Sequence, residues 1–396
     1  MDTIRLSFMI ACHSDKGYLR ETLDSIVESG YHFKNCEILI VDDGSPNGGD
    51  GDIARDFEAN YPSLIRVIRF PEHRGIVAAH QKLLEEARGE YVLIFDSDDI
   101  FVLFDIDADL AFLDTHPDYG ATFGKKRLFS AEKGDAGVNN GGDYACFPAT
   151  IDPRVNHNGM IIRTADLRAC GGYDSTIDGE ECYALDVFMW IRLGLTKKIL
   201  YVDTYRLFYR QHPEQQTAHC EEKYQKSYQL VRRYVRNLDP DLTAAVENFY
   251  PITLPAEKRF LTLMVLGCVF IEKYQKGSDA QELLSILEAA ERLMPEDYAI
   301  QEFRIKILLQ LQRYLDAFNE CTLLVFRHPE SVYIRLLALS QISVCCDHLN
   351  LSKERYNVIR GELSRQFFHL TESQQALFDQ TIKNARTRYH QHETEP

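Results

Sequence analysis

Over the first hundred residues the hydrophobic positions alternate between two spacings. The run IRLSFMIA (4–11) is apolar and short, as a buried strand would be. GYLRETLDSIVESG (17–30) then sets Leu19, Leu23, Ile26 and Val27 at helical spacing and stops at Gly30. The exchange recurs: CEILIVDDGS as strand, GDIARDFEANYP as helix, LIRVIRF as strand, GIVAAHQKLLEEARG as helix, EYVLIFD as strand. Strands apolar on both faces, alternating with helices, predict a parallel sheet covered on both sides. Ligands of such sheets bind beyond the carboxyl ends of the strands. That rule gathers ACHSD after the first strand, VDDGS after the second and FDSDD after the fourth at one edge.

From about Phe101 the pattern is less regular. Glycine-rich turns (DAGVNNGGDY, CGGYD) lead to LDVFMWIRLG, a helix with Leu185, Phe188, Met189 and Leu193 on one side. After RQHPEQQTAHC the periodicity is helical to the end, interrupted by YPITLPAEK. The expected architecture is therefore an α/β domain over 1–220, in halves 1–100 and 101–220, followed by an all-α domain over 221–396. In the helical part Pro295 and Pro329 lie 34 residues apart, which is the tetratricopeptide period. The competing reading is a helical bundle with prolines at helix starts. Either array would offer a surface for a protein partner or for self-association.

Charge narrows the partners. The 396 residues include Lys+Arg 44 and Asp+Glu 60, a formal charge of −16, which argues against nucleic acid or an anionic membrane as the main partner. The beginning of the chain lacks the signal-peptide pattern, and no apolar run approaches eighteen residues, so no transmembrane segment is expected. The ten cysteines form no CxxC pair, which points to buried free thiols and a cytoplasmic setting.

The chemistry concentrates in GEYVLIFDSDDI (89–100), where a buried strand runs into Asp96, Ser97, Asp98 and Asp99. Acids this close repel unless something positive lies among them. Mn²⁺ or Mg²⁺ suits one or two carboxylates completed by substrate phosphates. The chain has no Walker loop and no GxGxxG, so a nucleotide would be held through the metal.

Four stretches then carry a resemblance: LSFMIACHSDKGYLRETLDSIVES, EILIVDDGSPN, HRGIVAAHQKLLEEARGEYVLIFDSDD and CGGYDSTIDGEECYALDVFMWIRLG. In this order and spacing they resemble the family 2 glycosyltransferases of GT-A fold, over about residues 5–217. The resemblance implies an inverting, metal-dependent transfer of sugar from a nucleotide diphosphate, most often UDP, to an acceptor hydroxyl on a surface polysaccharide, lipid-linked glycan or glycoprotein. With a lipid-linked acceptor the protein would sit peripherally at the inner face of the membrane.

Carried onto this sequence, Asp43 would bind the base or ribose of the donor. Asp96 and Ser97 would lie at the ribose and sugar, and Asp98 at the metal, with His212 completing the metal shell. Ala11, His13 and His80 occupy further donor-binding positions. Asp186 matches the catalytic base. The departures are Leu185 where the motif has Glu, which leaves Glu180 and Glu181 as alternative bases, His80 where it has Arg, and ACHS where it has Pro-Thr-Tyr-Asn. These departures keep a second reading in view, a catalytically degenerate scaffold or sugar-nucleotide sensor acting through its helical domain.

Overall fold

The computed structural model describes residues 4–14, 16–130, 134–139, 155–173, 185–212, 221–247, 259–293, 298–327 and 332–349. Glu180, Glu181, Pro295 and Pro329 lie outside the described residues. Those residues form two compact units that part between Thr243 and Ala244.

In the first unit the alternation becomes β1 (Leu6–Cys12), α1 (Tyr18–Val27), β2 (Cys36–Asp42), α2 (Gly49–Asn60), β3 (Ile65–Arg69), α3 (Ile76–Glu86) and β4 (Tyr91–Ile94). Strands β2 and β4 are buried at every residue, as expected of strands covered on both faces. Helix α1 buries Leu19, Leu23 and Ile26, and α3 buries Val77, Leu83 and Leu84, the apolar positions that the helical spacing picks out. Strands β3, β2, β1 and β4 lie side by side in that order and run parallel, so the ends of β2, β1 and β4 share one edge.

The sheet continues through the stretch that looked irregular. β5 (Ile100–Phe101), α4 (Ile106–Thr115), β6 (Tyr119–Ser130), β7 (Gly134–Asn139), β8 (Ile161–Arg163), α5 (Thr164–Ala169), α6 (Leu185–Gly194) and β9 (Lys198–Arg210) complete it. Its order is β3-β2-β1-β4-β8-β6-β9-β5, with β7 on β6; β8 is antiparallel to β4 and β6, while β6 and β9 are parallel. The result is the α/β, mostly parallel architecture expected from the sequence.

One buried ion pair fastens this half of the sheet. Arg206 on β9 is 0% exposed and bonds Asp109 of α4, donates to Gly159 O at 2.9 Å and lies over the Phe104 ring at 4.4 Å. Burial pulls the guanidinium down to about 10, against the charge of Asp109. Thr122 donates to the same carboxylate oxygen at 2.7 Å. Truncation to Arg206→Ala would strand Asp109 in the core; we expect a loss of about 3–5 kcal/mol, read as a lower urea midpoint.

Helix α7 (Glu221–Leu238) belongs to the first unit, and α8 (Pro240–Glu247) spans the boundary. The second unit contains α9 (Arg259–Gln275), α10 (Ala280–Leu293), α11 (Tyr298–Gln310), α12 (Tyr314–Arg327) and α13 (Val332–His348). Each packs against the next, and α11 also touches α13. The starts of α10 and α12, and of α11 and α13, are each 34 residues apart, so the helix pairs themselves carry the period noted between the prolines. Helix α9 is apolar all round and buried over 261–271, which makes it the core of this unit. Among the described residues no helix is long and apolar enough to cross a membrane.

Candidate active site

The sheet edge holds two polar centres. The first lies at the end of β2. Asp42 is fully buried; Oδ1 accepts from Ser45 N at 2.9 Å and Oδ2 faces Arg69 Nε at 3.0 Å. Asp43 accepts from Arg74 N at 2.7 Å and Gly75 N at 2.9 Å, and its Oδ2 lies 2.9 Å from His73 Nδ1. His13, just past β1, puts Nδ1 2.8 Å from Asp43 O and its ring 4.1 Å from that of His73. In this state Asp43 fastens the 73–75 turn over the strand end, and a nucleotide that used it would meet those backbone donors beside it.

Gly44 makes that closeness feasible. It sits at φ +68, and a Cβ there would be 2.7 Å from the backbone carbon of Glu72 and 2.8 Å from His73 N. Gly44→Ala would push the 72–75 turn off Asp43. We expect a loss of about 1–3 kcal/mol in a thermal melt together with weaker nucleotide binding.

The second centre is the acid turn after β4. Asp99 is 0% exposed and fully engaged: Oδ1 accepts from Arg210 N at 2.7 Å and Oδ2 from Asn158 Nδ2. Asn158 also accepts from Asp96 N at 3.2 Å. Thr22 of α1 sets its hydroxyl 2.9 Å from Ser97 O and 2.8 Å from Asp99 O. Arg210 donates Nε to Asp98 O at 2.7 Å and Nη2 to Glu21 at 2.7 Å. The backbone of the turn is therefore held from α1, β9 and the loop before β8. The Asp98 side chain faces His212, with 3.0 Å between Oδ2 and Nε2.

Electrostatics join this turn to Asp186, in the first turn of α6. Asp186 is pushed up to about 6, chiefly by burial, against a 2.8 Å bond from Val187 N and the charge of Lys126. Asp96 is pushed up to about 7 by burial, then by the charge of Asp98, with Asp186 adding and Lys126 opposing. Burial and both neighbouring carboxylates hold Asp99 well above the usual carboxylate range. Lys126 on β6 is lowered by burial against the pull of Asp99, Asp96 and Asp186, and its ammonium lies 4.3 Å from the centre of the Tyr209 ring. Thus Asp96, Asp98, Asp99 and His212 come together at the turn, and Asp186 and Lys126 are linked to its carboxylates electrostatically.

Ala11 is half-buried at the end of β1, and Ser97 is half-buried within the acid turn. His80 is 3% exposed; its Nδ1 lies 3.0 Å from Ile76 O and its ring packs 5.0 Å from Tyr173 and 5.6 Å from His157. Burial lowers both imidazoles, leaving them neutral at pH 7. Next to it Gln81 accepts from Tyr173 N at 3.1 Å, which ties α3 to the glycine turn Gly171–Gly172. Sequence reasoning missed Lys126, Asn158 and Arg210. Lys126 left one signal, three consecutive basic residues (Lys125, Lys126 and Arg127) inside the strand GATFGKKRLFS.

The donor set suits a divalent cation. Asp98 and His212 present one carboxylate oxygen and one imidazole nitrogen 3.0 Å apart, whereas both oxygens of Asp99 are already bonded. Among the described residues no group of three or more His, Cys, Asp or Glu forms a cage. One carboxylate completed by substrate phosphate oxygens is what Mn²⁺ or Mg²⁺ can use, and the imidazole nitrogen could add one neutral ligand.

The Glycosyl transferase family 2 pattern matches residues 7–125. The chain is 25% identical over 195 residues to EpsE of Bacillus subtilis, named as a glycosyltransferase, covering 48% of this chain and 66% of that one. It is 33% identical over 95 residues to the glycosyltransferase GlyA of Streptococcus pneumoniae, covering 24% and 13%. It thus spans less than two thirds of the length of either relative. Among solved structures it is similar to S. aureus TarS 1–349 in complex with UDP-GlcNAc, with TM-score 0.49 and 16% identity over 83% of this chain and 93% of that one.

Proposed function

We propose that this chain, whose residues 7–125 match the Glycosyl transferase family 2 pattern, is an inverting glycosyltransferase that moves a sugar from a nucleoside diphosphate donor to an acceptor hydroxyl. What supports the reading is a pair of carboxylates in separate places, Asp98 against His212 after β4 and Asp186 in the first turn of α6 with its pKa raised to about 6.

The chemistry needs those two stations. The acceptor oxygen forms a bond to the anomeric carbon while the bond from that carbon to the diphosphate breaks, and the electron pair leaves with the diphosphate. Asp186 takes the proton of the acceptor hydroxyl, and a base near pKa 6 is ionised at pH 7 while still able to accept it. Asp98 and His212 would hold the divalent cation. When bound, that cation supplies positive charge against the departing diphosphate. Asp43, with Ala11 and His13 beside it, would face the base and ribose, and Asp96 and Ser97 the ribose and sugar.

UDP is the favoured nucleotide because its sugars are the commonest donors of the family. The acceptor is a glycan or a lipid-linked glycan. The neutral, buried His80 favours a second reading: where the family places a charged Arg this chain has an uncharged ring packed on Tyr173, as a scaffold or sensor could tolerate.

Calorimetric titration of UDP, GDP and dTDP, with Mn²⁺ and then with EDTA, separates the two. Mn²⁺-dependent binding of one nucleotide is expected. Failure of all three would make the scaffold the better reading.

A further inference from the structure

We propose that the imidazole of His73 sits in the seat of the donor's nucleobase and has to leave it before a nucleotide can bind. The proposal rests on reading Asp43 and His13 as the residues that face the base and ribose.

On those two residues His73 makes the two kinds of contact that a base would make. Its ring lies 4.1 Å from that of His13 with 31° between the planes, close to the stacked arrangement that flat rings favour. Its Nδ1 lies 2.9 Å from Asp43 Oδ2. A nucleobase is likewise a flat nitrogen ring with one face to stack and an edge to offer a carboxylate. Asp43 Oδ2 also accepts from Gly75 N at 2.9 Å, so two donor groups already crowd that oxygen, about as many as its lone pairs serve. A base seeking Oδ2, or a stack on that face of His13, would have to take the place of the imidazole.

The turn is built to bring the ring there and to let it go. At Gly44 a Cβ would stand 2.7 Å from the backbone carbon of Glu72 and 2.8 Å from His73 N, so glycine lets the turn press onto the strand end beside Asp43. Bonds from Arg74 N and Gly75 N to the Asp43 carboxylate anchor its backbone. The His73 side chain stays 57% exposed, and among the described residues no other hydrogen bond, ion pair or ring contact holds it. Exposed ionic contacts are weak. A rotation of the side chain alone therefore frees the seat and leaves the turn in place.

The test is calorimetric titration of UDP into the full chain in Mg²⁺, for the parent, His73→Ala and His73→Phe, with and without free imidazole. A seat filled part of the time by the protein's own side chain lowers the apparent affinity by that fraction. H73A should bind UDP about three- to tenfold tighter than the parent, the range for one exposed ionic contact and one stacked ring. H73F keeps a ring to stack and loses the nitrogen, so its affinity should fall between the two. Free imidazole should weaken UDP binding to H73A toward the parent value and leave the parent unchanged. A mere change in the stability of the turn would not give that response. Mg²⁺ is chosen because oxygen ligands suit it and imidazole competes little for it.

UDP bound by the parent, and no more tightly by H73A, overturns the proposal, as does tighter binding to H73A that free imidazole leaves unmoved. Should H73A not fold, His73→Ser takes its place in the same comparison. The donor reading fails separately: UDP, GDP and dTDP bound by neither the parent nor H73A would sink that reading and the proposal with it.

Discussion

Replacing Asp186 with Asn is expected to cut transfer about 10²–10⁴-fold, the usual contribution of a positioned base, while UDP binding stays within about twofold of the parent. The carboxylate sits in the first turn of α6 and is bonded by Val187 N at 2.8 Å. An amide oxygen can accept that bond, so the helix start is kept and only the proton acceptor is lost. The pH dependence follows in sign: a base at Asp186 would work as the carboxylate, so the parent rate should fall about tenfold per unit below about pH 6 and level off above it. D186N should show the residual rate without that limb.

Stability separates chemistry from unfolding in the same variant. The folded-state pKa of Asp186 lies above the ordinary carboxylate value. Its contribution to stability is therefore present at low pH and lost as pH rises past about 6. Asn carries no charge at any pH, so D186N should melt no lower than the parent at pH 8. The readouts are UDP release from UDP-N-acetylglucosamine, UDP-glucose and UDP-galactose with water as acceptor, calorimetry with UDP, and thermal melts. A variant that releases UDP at the parent rate would move the base to Glu180 or Glu181.

What the sequence disclosed depended on how local each signal was. Strands β1 to β4 and their helices were readable because each element carries its own period and the next lies beside it in space. Asp98 and Asp186 stand out in the sequence because a motif marks them, and the role of each is the proposal made above. The answer to the crowding of acids was less visible. It comes largely from the protein itself: Asn158 Nδ2 and Arg210 N bond Asp99, and Lys126 adds a positive charge. None of these has a local signature. Arg210 reaches the turn because β9 pairs with β5, the strand that directly follows Asp99, and Lys126 lies on β6, which pairs in parallel with β9; both pairings join segments far apart in sequence. GKKRLF looks like a solvated basic face until β9 packs beside it. His80 shows the converse, since its motif position suggests contact with the donor and its burial against Tyr173 and His157 shows a packed ring.

Asp98→Ala should abolish the Mn²⁺-dependent part of UDP binding, a loss of at least about 100-fold, or about 2.7 kcal/mol. The geometry makes this a clean deletion. What holds the turn to β9 and to Asn158 is the Asp98 carbonyl, bonded to Arg210 Nε at 2.7 Å, and the side chain of Asp99, both of which survive the substitution. Only the carboxylate facing His212 disappears. Asp98 is also the first charge that raises Asp96 after burial, so its removal leaves Asp96 more readily ionised, and any weak binding that persists should grow with pH. His212→Ala should weaken binding about tenfold, because an imidazole contributes one neutral ligand while Asp98 contributes charge. Calorimetry in Mn²⁺ and in EDTA decides between mechanisms. If the parent in EDTA matches D98A in Mn²⁺, the carboxylate acts by holding the cation. Should D98A bind less than the parent by the same factor in both, Asp98 touches the nucleotide directly and the cation lies elsewhere. Binding unchanged in Mn²⁺ would take Asp98 out of the site and leave the acid turn as a structural device braced by Asn158, Arg210 and Lys126.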